Sequence, residues 1–306
     1  MGTHIKLLST TKGLNNKIAP EHMTLGENGF EYMTEAVNVY VDDSFKTHRR
    51  NGYNGTSITT ECHSLFSNGH TAVYVSGDAL CIINPNTYET TPIRQVTPGA
   101  IMSYIDAPPG RIIYSNGFEK GIIEDGESKE WVMADVVVKA GQTPQDPPTG
   151  HLLEQFGGYV FVACIQDGKS VVYHSMPFSP HSFDFGKGFY EYPEPTTLMA
   201  SVDDGIYIGT ERDLYYLQGT SPKDFFQYKK TGIAPLKNSQ VKANGKDLGL
   251  DTSSNCVIFA TNEGLFGGFS GGEVVQLTED TIRLEDRYRF ADAYIKDGKY
   301  IVSFKK

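Results

Sequence analysis

The sequence predicts an all-β protein, a β-propeller with six four-stranded blades closed by strands from near its N-terminus. Three observations predict it. A strand-and-turn unit recurs at the spacing of propeller blades. The composition, with Tyr 18, Phe 17, a single Trp, Gly 32 and Pro 15 in 306 residues, favours strands and turns over helices. The last unit stops two strands short, while two strand-like stretches ahead of the first unit belong to none.

Residues 1–35 are polar, with Gly13, Asn15, Asn16, Pro20 and Gly26 breaking any period, and read as an extended arm. Leu7, Leu8 and Leu14 of this arm are candidates for contacts between subunits. Residues 36–306 read as one propeller domain. Its first piece, 36–53, is a strand (Val37 to Val41), an acidic turn (Asp42-Asp43) and a second strand ending in Arg49-Arg50-Asn51-Gly52-Tyr53.

The repeat is anchored at Gly69, Gly110, Gly158, Gly205, Asn255 and Gly298, each followed by an apolar or aromatic run such as Tyr-Val-Phe-Val-Ala (159–163). Anchors lie roughly 41 to 50 residues apart, the range of a four-stranded blade. Gly or Asn at each anchor suits a hairpin turn with positive φ. After Gly298 only Tyr300 to Phe304 remains. A two-stranded blade exposes an unpaired sheet edge, so 36–53 should complete it, with Val37, Val39 and Val41 packed beside Tyr300 and Val302. Five or seven blades are the neighbouring alternatives.

Two insertions interrupt the pattern. Lys139 to Thr149, with Pro144, Pro147 and Pro148, reads as a loop. Met176 to Pro195 interleaves four prolines with Phe178, Phe183, Phe185, Phe189, Tyr190 and Tyr192. Such aromatic density either packs on a blade edge or neighbouring subunit, with Phe183, Phe185 and Tyr190 as contacts, or forms an outer hairpin buried on its own blade.

Signals for chemistry are sparse. The formal net charge of −10 argues against a general nucleic-acid clamp, leaving Arg49-Arg50 and Lys229-Lys230 as the evident basic clusters. Cys62, Cys81, Cys164 and Cys256 form no CxxC pair, and the last three lie in apolar runs that read as buried free thiols. Met1 to Thr11 has no apolar run of signal-peptide length and no window approaches a spanning helix, which predicts a soluble protein made in a reducing cytoplasm, with no membrane insertion. No phosphate-binding glycine loop or nucleophile elbow is present. His151, His174 and His181 lack metal-site spacing, and Val202-Asp203-Asp204-Gly205 is only a fragment of a calcium loop. Asp203, Asp204, Asp213, Glu211 and Glu263 are the acids to weigh for a glycosidase or glycan-binding site. Neither a catalytic set, a metal site nor a cofactor is expected.

Several of these stretches resemble a known family. Gly13-Leu-Asn-Asn16, Pro20-Glu21, Ala36-Val-Asn-Val39, Asp42-Asp43 and Arg49-Arg50-Asn51-Gly52-Tyr53 are similar to the opening of phage virion proteins, although Asn51 stands where many members have Pro. Asp204-Gly-Ile-Tyr-Ile-Gly-Thr210, Leu214-Tyr-Tyr-Leu-Gln-Gly219 and Gly264-Leu-Phe-Gly-Gly-Phe-Ser-Gly-Gly272 resemble the same proteins. The family is that of the tail nozzle, or packaged-DNA stabilisation, proteins of tailed phages. The resemblance implies a non-enzymatic virion protein: a homo-oligomeric propeller ring, hexamer favoured, in the tail. Its partners would be tail-tube, connector or portal-complex proteins, and DNA would pass it without specific contacts. The alternatives are a propeller glycosidase or glycan-binding protein acting on host surfaces, and an interaction hub without a viral role.

Overall fold

The computed structural model describes residues 11–19, 31–33, 35–42, 44–50, 61–133, 141–248, 253–284 and 286–306. Nearly all of its regular structure is strand. β1 (Thr11–Leu14) and β2 (Glu31–Met33) pair in parallel, and β3 (Val39–Val41) and β4 (Thr47–Arg49) form an antiparallel hairpin. Five antiparallel sheets follow. The first holds β5 (Cys62–Ser67), β6 (Ala72–Ser76), β7 (Ala79–Ile83) and β8 (Thr90–Gln95). The second holds β9 (Ser103–Ala107), β10 (Arg111–Ser115), β11 (Lys120–Glu124) and β12 (Glu127–Lys129). The third has five strands: β13 (Leu152–Phe156), β14 (Tyr159–Gln166), β15 (Lys169–Met176), β16 (Ser179–Phe183) and β17 (Phe189–Tyr192). The fourth comprises β18 (Thr196–Val202), β19 (Gly205–Thr210), β20 (Asp213–Gln218) and β21 (Phe226–Thr231). The fifth comprises β22 (Val241–Asn244), β23 (Asn255–Thr261), β24 (Gly264–Gly268) and β25 (Val274–Gln276). β26 (Phe290–Lys296) and β27 (Lys299–Lys305) end the chain as a two-stranded sheet.

The sheets stack face to face in chain order, and strand periodicity explains how. Successive side chains of a strand point to opposite faces, so each middle strand serves two cores. On β19, Ile206 and Ile208 enter the core shared with the third sheet, while Tyr207 enters the one shared with the fifth. On β10, Ile112 and Tyr114 pack toward the first sheet and Ile113 toward the third. Both faces being buried, these strands read as continuous apolar runs rather than alternating ones. This all-β arrangement of successive stacked sheets, each with one inner strand, is propeller-like.

The anchors of the repeat fall at the turn before the second strand of each sheet. Gly69, Gly110, Gly158 and Gly298 hold positive φ, as a tight hairpin needs. Gly205 does not, and its constraint is space: a Cβ there would collide with the Leu217 carbonyl oxygen.

Two expectations change. Among the described residues no ladder joins β3–β4 to β26–β27; they are separate two-stranded sheets. Their contact runs through side chains, with the Lys299 ammonium 4.2 Å from the Tyr40 ring centre. Val37 is exposed and Val39 and Val41 are only half-buried, so these valines are not core partners of Tyr300 and Val302. Those two are engaged with the fifth sheet: the Tyr300 hydroxyl donates to the Ser239 carbonyl at 2.6 Å, and Val302 packs on Leu236, Ala260 and Ala291. Strands of three residues offer too few backbone bonds to compete with these contacts. The Pro-rich stretch forms β16 and β17, both paired to β15, which is the outer-hairpin reading.

Candidate functional site in the central cavity

The innermost strands β5, β9, β13, β18, β22 and β26 surround one cavity of about 1220 Å³. Its wall is held by polar side chains reaching from each sheet to the next. The Met102 N–H donates to Ser64 Oγ at 2.9 Å, and Asn68 Nδ2 to Asp106 Oδ1 at 3.0 Å. The Leu153 N–H donates to Ser103 Oγ at 2.9 Å. Asn238 Nδ2 donates to Asp292 Oδ1 at 2.7 Å, and the Ala291 N–H to the Lys237 carbonyl at 3.0 Å.

Glu154 on β13 is the hub of the wall. Only 4% exposed, it accepts from the Ser201 N–H at 3.1 Å, from Ser201 Oγ at 3.2 Å and from Lys242 Nζ at 2.8 Å. Three inner strands, β13, β18 and β22, are thereby tied by one carboxylate. Lys242 Nζ also lies 3.5 Å from Ser201 Oγ. Its shorter contact is the one to the Glu154 carboxylate, at 2.8 Å. Sequence reasoning missed this group. Its signal was a lone Glu inside the apolar strand Leu-Leu-Glu-Gln-Phe (152–156), since a buried charge requires a partner.

At β5 the wall is irregular. The ladder with β6 shifts between His63 and Phe66, and Ser64 takes φ +56. His63 Nδ1 shares a 2.8 Å hydrogen bond with Ser64 Oγ, while Nε2 is buried without a partner among the described residues. Burial lowers the His63 pKa despite the opposing pull of Asp292.

The acids weighed from sequence lie elsewhere. Asp203 and Asp204 form the β18–β19 turn and grip the fifth sheet. Asp203 accepts from the Asn255 N–H at 3.0 Å and from Asn255 Nδ2 at 2.6 Å. Asp204 accepts from the Tyr216 hydroxyl at 2.5 Å and from the Gly271 N–H at 3.0 Å. Burial pushes the Asp204 pKa up, but these donors outweigh it and hold the carboxyl below the usual range. Asp213 pairs with Lys229 at 2.7 Å and Glu211 with Lys237 at 3.1 Å; Glu263 is exposed at the β23–β24 turn. None of the five lines the cavity. Among the described residues, no group of three or more His, Cys, Asp or Glu side chains is placed to hold a metal ion. Cys81, Cys164 and Cys256 are buried free thiols, whereas Cys62 is exposed. No helix among the described residues is long and apolar enough to cross a membrane.

The residues expected at subunit contacts divide. Phe183 is fully buried edge-on to Trp131, and so has no surface to offer a neighbour. Phe185 packs on Tyr173, and the Tyr190 hydroxyl donates to the Pro222 carbonyl at 2.7 Å, tying the third sheet to the fourth. Leu7 and Leu8 lie outside the described residues. Leu14, half-buried on β1, pairs with Met33 of β2, and the two residues after it form a latch inside the chain. Asn15 Nδ2 donates to the Asp280 carbonyl at 3.1 Å. Asn16 Nδ2 donates to the Arg283 carbonyl at 2.9 Å, and its Oδ1 accepts from the Arg283 N–H at 2.7 Å.

No protein-family model matches the sequence, and no curated protein matches it. Solved structures are similar in fold at low identity. The extracellular domain of a hybrid two-component system from B. thetaiotaomicron matches 82% of this chain at 9% identity and TM-score 0.45; this chain spans 34% of that one. A catalytically inactive virginiamycin B lyase from Staphylococcus aureus, with quinupristin, matches 97% of this chain and 92% of its own at 10% identity and TM-score 0.44. The Pan2 WD40 domain of Neurospora crassa matches 74% and 67% at 12% identity and TM-score 0.43.

Proposed function

We propose that this chain is a non-enzymatic structural protein of a tailed-phage virion, a six-bladed propeller that assembles into a ring of the tail. The sixth blade is β26–β27, with two strands of its own. The observation that carries the reading is the Asn15–Asn16 latch. The Gly13-Leu-Asn-Asn16 segment, part of the family resemblance, pins the start of the chain to the 279–283 loop leading into that last blade. Blade closure and the arm's exit are thereby coupled, as suits a protein whose arm engages other virion proteins.

The cavity supports a scaffold over a catalyst. Among the described residues its carboxylates are Asp106, Glu154 and Asp292, and each accepts from a donor on a neighbouring sheet, as a fastener of the wall does. It is also too narrow for duplex DNA. An inner strand of about six residues spans roughly 20 Å, so the 1220 Å³ open to the centres of water molecules corresponds to a path about 9 Å wide for those centres and roughly 12 Å between the walls. A duplex with grooves roughly 8 Å deep on either side is about 20 Å across. DNA in this reading therefore passes along the axis of the assembled ring, where the acidic net charge of −10 keeps phosphates from sticking.

The test is electron microscopy of the purified full chain, with mass spectrometry of phage particles from the source that encodes it. Ring-shaped particles and presence in tails are expected. A monomer absent from virions, or hydrolysis of host-surface glycans by the purified chain, would defeat the proposal.

A further inference from the structure

Two outer edges of the molecule have opposite chemistry. β21, outermost in the fourth sheet, pairs with β20 along its whole length, and among the described residues no strand pairs its other edge. All six of its residues, Phe-Gln-Tyr-Lys-Lys-Thr, are exposed. The Phe226 and Tyr228 rings, 63% and 43% exposed, lie 4.8 Å apart. Lys229 is held by Asp213 at 2.7 Å, whereas Lys230 projects with the aromatic pair. A fully exposed strand with aromatic and lysine side chains is an edge suited to receive another strand.

Among the described residues β12 is the outermost strand of the second sheet; Glu127-Ser128-Lys129 is itself neutral, but the acids Asp125 and Glu127 project beside it. Glu127 is exposed and the Asp125 side chain beside it is 88% exposed, whereas Glu130 is spent on Arg94 at 3.1 Å. Lys129 on this edge is turned to Glu124 at 2.9 Å, so its charge is spent locally.

We infer that β21 of one copy docks against β12 of a second copy, head to tail, and that this contact builds the ring. The inference rests on the ring reading and adds which edges meet. Charge complementarity selects the partner edge, and Phe226 and Tyr228 supply the aromatic anchors common at the centres of interfaces. Geometry agrees. The second and fourth sheets are separated by one sheet, about 120° around a six-bladed propeller. A subunit in a closed ring of six touches its two neighbours in directions about 120° apart, so a heterologous contact between these edges closes instead of growing into a filament. The third sheet, with its extra hairpin strand, then faces the ring axis.

The test is charge reversal read by light scattering of the full chain. Lys230→Glu and Glu127→Lys each remove one side of the attraction and should raise the concentration for half-assembly about tenfold or more. The double variant restores the pair in reversed sense and should return assembly toward the wild type. Phe226→Ser, which leaves charge untouched, should weaken assembly without rescue by Glu127→Lys. All three positions are exposed, so circular dichroism and melting should match the wild type. A wild-type ring indifferent to both single reversals would overturn this interface and leave the ring reading standing. A monomeric wild type would overturn both.

Discussion

At the scale of single residues, the polar groups of this protein act mainly as fasteners between sheets, and that makes its stability depend on pH. Asp204 feels burial, which raises its pKa, but the Tyr216, Gly271 and Gln218 donors prevail and lower it. His151 is pushed down by burial against a weaker upward pull from the Thr196 carbonyl, to which Nε2 lies at 2.9 Å, and burial likewise lowers His174. In both kinds of group the folded pKa lies below the unfolded one, so acidification loads protons onto the unfolded chain first. The stabilising contribution is full above the unfolded value and lost as pH falls through the folded one. The histidine window opens below about 6.5 and the carboxylate window below about 4. The melting temperature should therefore fall in two stages between pH 8 and 3. His151→Gln should flatten the first and Asp204→Asn the second, each checked by calorimetry across that range. An unchanged slope in either variant would remove that residue from the account. The sequence exposed these residues without their partners: three histidines in one region hinted at a cluster, yet His151 is spent on the Thr196 carbonyl and His174 lies among Tyr159, Phe161 and Tyr190.

At the scale of the strand and its turn, the repeat was legible because its cause is local. An anchor followed by an apolar run is a hairpin turn plus a strand buried on both faces. Glycine at the hairpin turns nevertheless has two causes. Gly168, at the β14–β15 turn, has φ +76, and a Cβ added there would meet nothing within 4 Å, so Gly168→Ala meets only backbone strain, about 1 kcal/mol. Gly205 has ordinary φ, but a Cβ added there would run into the Leu217 carbonyl and lie 2.7 Å from the Tyr216 hydroxyl. Gly205→Ala must push apart β19 and β20, and overpacking of that kind costs up to about 3 kcal/mol. Urea unfolding should place the midpoint of Gly205→Ala well below that of Gly168→Ala; equal midpoints would mean that the turn yields freely. Pairing of β3–β4 with β27 was inferred from strand counting, which registers an open edge but not the three-residue lengths that limit what can fill it.

At the scale of the whole molecule, burial is unequal around the stack, and local stability should follow it. β14, β19, β20 and β23 are buried almost throughout and packed on both faces by large side chains such as Phe161, Tyr207, Tyr216 and Phe259. β26–β27 has two strands, mixed exposure, and a core of Leu236, Ala260 and Ala291 much smaller than those between earlier sheets. β4 is exposed along its whole length. Amide exchange reports the free energy of the smallest opening that frees each N–H. In the isolated chain, amides of β19 and β23 should exchange only by global unfolding, and those of β26–β27 at least about a hundredfold faster, a gap of about 3 kcal/mol in opening free energy. Replacing Asn15 and Asn16 with Ala removes the side-chain bonds of the latch on the 279–283 loop and leaves the Asn16 N–H to Thr281 carbonyl and Lys17 to Glu279 carbonyl bonds, so it should speed exchange in β26–β27 and leave β19 unchanged. Uniform protection through all the sheets, or a latch variant that loosens β19 equally, would mean that the stack opens as one unit and that its last sheet is no weaker than the rest. The Asn15–Asn16 bonds hold the 279–283 loop that leads into β26–β27, so the cost of opening that last sheet should include breaking them, while the cores between the earlier sheets stay closed.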